Sequence, residues 1–143
     1  MRRCAVLCRA AVRCKFALHT RRPAPRLHAR SGYVGDSSLN GVFTADQASR
    51  GQEKYNTECA GCHNVAEHTG GAFRNKWGGN PVDFIYDVIS KTMPANKPGA
   101  LAPGEYADIV AFFLSKSGYT PGNQDLPADR TVLQKLRIEP PAK

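Results

Sequence analysis

The sequence lacks any run approaching 18 apolar residues, so no segment qualifies as a membrane-spanning helix. It is also short of cysteine where a fold would use it. Three of its five Cys (Cys4, Cys8 and Cys14) lie in the first 31 residues, and only Cys59 and Cys62 lie beyond. That excludes a scaffold held by several disulfides. Acidic residues are missing from residues 1–31, which hold nine of the 20 Arg and Lys. The remaining 11 basic residues face 12 acidic ones, a net charge of −1 over residues 32–143. The formal +8 of the whole chain therefore describes a terminus and not a basic stripe that could neutralise phosphates, and no nucleic-acid partner is expected. No alternating strand pattern and no internal repeat is visible.

Residues 1–31 differ in kind from the rest. Arg9 interrupts their only apolar stretch, Cys4 to Val12, so the continuous apolar region of a secretory signal is not there. The Arg pairs at 2–3 and 21–22 have no apolar run behind them either. An Arg-rich, acid-free composition suits a mitochondrial presequence. A basic tail and a misassigned start remain open beside it. The expectation is that this segment is absent from the mature protein. Cys4, Cys8 and Cys14 are spaced by 4 and 6 with no His at ligand distance, and no chemistry is assigned to them.

The 143 residues amount to one domain. Residues 32–43, rich in Gly and Ser, read as a linker. Thr44 then caps a helix over about Ala45 to Glu58, with Gln47 as its capping-box partner. From Asn64 to Gly79 there is no period and four residues are Gly, which predicts a loop. Asn80 as cap, Pro81 at the first helical position and Asp83 in the first turn open a second helix. Val82, Ile85, Tyr86 and Ile89 give it an apolar stripe. Residues 93–104 carry three Pro and two Gly and read as extended loop. A third helix runs from about Pro103 to Lys116, with Tyr106, Ile109, Val110 and Phe113 on one face and Gly118 as its stop. Ala102 is a weak cap for it. The predicted class is all-α, with three main helices and long loops. So few helices leave a thin core, and a chain of this size with a thin core needs a staple.

Cys59-Ala60-Gly61-Cys62-His63 supplies one. C-x-x-C-H is the attachment pattern of c-type haem. In a helical turn, residues i and i+3 share a face, so both sulfurs can reach the two vinyl groups on one porphyrin edge. Residue i+4 then projects its imidazole toward the iron. Structural zinc is the first alternative, but it wants four ligands, and beyond Cys59, Cys62 and His63 only His68 is near in sequence. A redox-active dithiol is the second, but no strand–motif–helix setting surrounds the pair.

The sixth iron ligand follows by elimination. Met93 is the only Met besides Met1, and it comes 30 residues after His63. Pro94 biases it toward extended backbone. Core filling is the alternative role. His68 is the competing ligand, but five residues after His63 it stays on the same side of the ring.

With these residues in hand the chain resembles a class I c-type cytochrome over about residues 44–138. Gly51, Tyr55, the Cys59–His63 motif, Trp77, Met93-Pro94 and the stretch Glu105–Leu114 carry the resemblance. The pieces Gly118–Gly122, Leu126–Asp129 and Leu136–Ile138 are similar to small bacterial cytochromes that accompany quinoprotein alcohol dehydrogenases. The resemblance implies a cytochrome c domain at 44–117 and a C-terminal extension, 118–143, packed on it. It implies close approach of the first and last helices at Gly51, with Tyr55 stacked on the last helix. Trp77 would lie near a haem propionate, with plain core packing as its alternative role, and Arg74 and Lys76 would be neutralising charges or simply solvated loop residues. One departure stands out. Relatives hold the ligand His through a loop proline's carbonyl, and no Pro occurs between His63 and Pro81.

The expected cofactor is one haem c, attached through two thioethers. The expected function is one-electron transfer by a monohaem carrier, not catalysis. The donor would be a dehydrogenase, of the quinoprotein type by the resemblance, and the acceptor an oxidase or another cytochrome. A haem enzyme or a gas or peroxide sensor with an open iron site is the alternative. A subunit that anchors a partner through 118–143 is a third reading. Haem attachment to such a motif places the protein in the periplasm, or alternatively in the mitochondrial intermembrane space.

Overall fold

A computed structural model describes residues 41–139. The N-terminal basic segment, its three cysteines, most of the predicted linker and residues 140–143 lie outside them. The described residues form five α-helices and one 3-10 turn. These are α1 (Ala45–Glu58), the 3-10 turn (Val65–His68), α2 (Gly70–Trp77), α3 (Val82–Thr92), α4 (Pro103–Lys116) and a short α5 (Arg130–Leu133). Among them no strand forms, and Pro81 and Arg137 make one isolated bridge.

Helix α1 starts as its sequence dictates, with the Thr44 hydroxyl accepting from the Gln47 amide at 3.0 Å. The Gln47 side chain does not complete a capping box. It is buried and turned to Leu126, accepting from its amide at 2.6 Å and donating to its carbonyl at 2.9 Å. A two-bond pairing with backbone 79 residues away outcompetes the local cap. Helix α3 begins one residue later than predicted. Pro81, with φ −64° and ψ 152°, is the cap residue, and Val82 is the first helical one. In α4, Glu105 mends the weak start by accepting from the Ala102 amide at 2.8 Å. Gly118 ends that helix at φ +93°, where a side chain would be strained.

Helix α2 corrects the predicted loop. Gly70 and Gly71 hide it by their low propensity, but Phe73 is fully buried and packs edge-on against Tyr119 at 6.3 Å. Tertiary packing creates this helix. The predicted linker also ends sooner, since Val42 and Phe43 are buried in the core.

Helices α1 and α4 pack backbone against backbone at Gly51. A Cβ built on Gly51 would stand 1.9 Å from the Asp108 carbonyl oxygen of α4. Tyr55, one turn on, sits 5.6 Å from both the Phe112 and the Phe113 rings. Gly51→Ala is expected to force the two backbones apart and destabilise the protein by about 3 kcal/mol or more. Denaturant melts of the purified variant check this, and a loss below about 1 kcal/mol would contradict it.

The chain after α4 packs back over the helices. Gly122 donates to the Phe43 carbonyl at 2.6 Å. Leu126, Leu133, Leu136 and Ile138 are all buried. Gly79 donates to the Ile138 carbonyl at 2.8 Å, Ile138 to Asn80 at 3.0 Å and Val82 to Leu136 at 2.8 Å. Outside this core, Arg50 bridges Asp108 and Asp125 across an exposed surface.

Candidate haem cleft

The C-x-x-C-H motif continues directly from α1. Cys59 and Ala60 both donate to the Tyr55 carbonyl at 2.9 Å, and Cys62 and His63 donate to the Cys59 carbonyl at 3.1 and 3.0 Å. The pentapeptide is therefore one tight turn, the geometry that brings i, i+3 and i+4 to one side. The Tyr55 hydroxyl donates to the His63 carbonyl at 3.1 Å and pins the end of the turn. Both thiols are free, Cys59 half-buried and Cys62 exposed. Burial pushes the Cys59 thiol up, with Glu58 adding to the effect. A redox-active dithiol needs the opposite shift.

Next to the turn opens a cleft of about 190 Å³. Cys59 and His63 form one part of its wall and Met93 another, with Trp77 and Lys76 at the end of α2. The rest is apolar, with Ile85, Ile89, Leu101, Tyr106, Ile109 and Phe113 prominent. Cys62 is not among the lining residues. An apolar slot with a thiol, an imidazole and a thioether facing it suits a flat hydrophobic macrocycle around a metal, so the residues fit haem.

Met93 leaves α3 in extended backbone, φ −122° and ψ 153°, as its position before Pro94 predicts. Its loop is tied at both ends to α4. The Tyr106 hydroxyl donates to the Met93 carbonyl at 2.7 Å and accepts from the Leu101 amide at 3.3 Å. Trp77 is half-buried with the Lys76 ammonium 4.9 Å from its ring centroid. Arg74 is turned away from the cleft, donating to the Ser117 carbonyl at 2.8 Å.

His68 also lines the cleft. Its ring is 4.9 Å from that of His63 at 74°, and 5.8 Å from Phe113. Rings in such contact leave no space for a macrocycle between them, so His68 and His63 cannot bind opposite faces of one iron. Burial lowers the His68 pKa, and His63 lowers it further. Glu67 completes the group, with one donor atom from each of His63, Glu67 and His68 lying within 4.8 Å of one another. The zinc alternative drew on Cys59 and Cys62, which the structure does not bring into this cluster. Sequence reasoning missed Glu67, whose only signal was its place in the turn after the motif.

Residues 46–113 match the family model described as Cytochrome C oxidase, cbb3-type, subunit III. No curated protein and no solved structure matches the chain. The helical fold and this match support a class I c-type cytochrome domain over residues 46–113. Such a domain is consistent with a haem electron carrier rather than an enzyme. No helix among the described residues is long and apolar enough to cross a membrane.

Proposed function

We propose that the protein carries one haem c, held by thioethers from Cys59 and Cys62, with His63 and Met93 as the two axial ligands. The observation that carries this reading is the meeting of Cys59, His63 and Met93 on one apolar cleft. When bound, haem supplies the reversible one-electron chemistry. The chain does the rest. The turn after α1 fixes the spacing of the two sulfurs and the imidazole. Tyr106 holds the backbone that presents Met93. With His63 and Met93 both bound, the iron would keep no open position for substrate, and the thioether would favour its reduced state. This disfavours the enzyme and sensor readings. Trp77, at the cleft rim, is assigned to a propionate, with its indole N–H as donor. Lys76 beside it supplies positive charge to the same group, whereas Arg74 is already engaged elsewhere.

Electrons enter and leave at the cleft rim. Val88 lines the cleft and is 43% exposed, and Phe84, one turn earlier on α3, is 55% exposed. This apolar pair adjoining the cofactor is the assigned docking face for redox partners. The donor is a dehydrogenase, of the quinoprotein type by resemblance. An oxidase as acceptor accords with the description of the matched family. The proposed location is the periplasm, where haem is attached to such motifs.

The ferric absorption spectrum of the haem-loaded protein tests the ligand set. Methionine sulfur on ferric haem gives a weak far-red charge-transfer band, and that band is expected here. A high-spin spectrum that changes on adding peroxide or a gas would favour the open-site reading.

A further inference from the structure

A histidine that binds metal through one ring nitrogen must place the N–H of the other, and it nearly always finds a fixed acceptor. This chain has no proline between His63 and Pro81 to offer a loop carbonyl in the usual way. The 3-10 turn Val65–His68 brings two side chains to the position instead. The His68 ring stands 4.9 Å from the His63 ring with the two planes at 74°, and one nitrogen of each lies within 4.8 Å of the other. Phe113 backs the His68 ring at 5.8 Å and fixes its place. His68 is half-buried and Glu67 is exposed, so water competes for the carboxylate far more than for the imidazole. A neutral imidazole has one free acceptor nitrogen.

We propose that His68 is the positioning residue for the iron ligand: its ring nitrogen accepts the free N–H of His63, in place of a loop carbonyl. The inference rests on ligation of iron by His63. An acceptor at this point makes His63 a more electron-rich ligand and favours the ferric state. It also fixes the ring's rotation about the bond to the metal.

The test uses the haem-loaded protein. His68→Phe keeps the ring against Phe113 and removes the acceptor. His68→Gln restores one, and Glu67→Gln is the control. The reduction potential of His68→Phe is expected to rise by about 59 mV, which corresponds to a tenfold change in the ferric-to-ferrous binding ratio. His68→Gln is expected to return most of that shift, and Glu67→Gln to leave the potential unchanged. Nitrogen-15 labelling of the wild-type protein gives a second measurement that needs no variant. A through-bond coupling between ring nitrogens of His63 and His68 is expected. A wild-type potential in His68→Phe, a shift in Glu67→Gln instead, or no ring-to-ring coupling would each overturn the proposal while His63 ligation stood. A wild-type protein whose haem lacks a histidine ligand would overturn both, and its spectrum tells the two failures apart.

Discussion

Cys59→Ala combined with Cys62→Ala is expected to yield a chain without covalently bound haem and without a cooperative thermal transition. The reason lies in the cleft wall. Ile85, Ile89, Leu101, Tyr106, Ile109 and Phe113 all face the space assigned to the cofactor. Each large apolar side chain contributes about 1.5–3 kcal/mol when fully buried, and a whole domain is stable by only about 5–15 kcal/mol. A cleft without the macrocycle leaves all six without packing partners on one side, a loss comparable with that margin. The single substitutions should each leave one thioether and an intermediate stability. Haem staining of denaturing gels reads the attachment, and calorimetry reads the transition. A haem-free double variant that melts cooperatively near the wild-type temperature would show that the protein core suffices alone.

Met93→Ala should leave haem attached and the fold intact, but change the iron. The far-red band should vanish, and added imidazole should bind the ferric protein tightly. The reduction potential should fall by on the order of 0.1–0.3 V, part of the roughly 0.8 V range that axial ligands span. The sign follows from the thioether, which favours ferrous iron. Loss of the sulfur thus stabilises the ferric state. Redox titration and ligand titration check the two effects separately. A variant with the parental spectrum and no affinity for imidazole would make Met93 a packing residue only.

Three of the five helices were readable from local chemistry. Thr44 marks the start of α1, and the apolar stripes of α3 and α4 carry their own period. Helix α2 was not readable, because its first two residues are glycine and its buried face consists of little more than Phe73, paired with Tyr119 from far along the chain. Gln47 shows the same limit in one side chain. Its spacing from Thr44 signals a capping box, but its partner is Leu126. In the candidate site, Cys59 and His63 were legible because the motif is local, and Met93 because alternatives were few. The closeness of Glu67 and His68 to His63 depends on how the 3-10 turn folds back, which no spacing rule encodes.

The hydroxyl of Tyr106 joins the two ends of the segment that starts at Met93 and closes at Leu101. Electron transfer is slowed by whatever must shift between the oxidised and reduced forms. With Met93 on the iron as proposed, α4 would grip this segment at both ends and leave the backbone behind the sulfur little freedom to relax when the charge on the metal changes. The bond network would then bear on rate as well as stability, since a rigid frame keeps small the nuclear rearrangement that must precede each electron transfer.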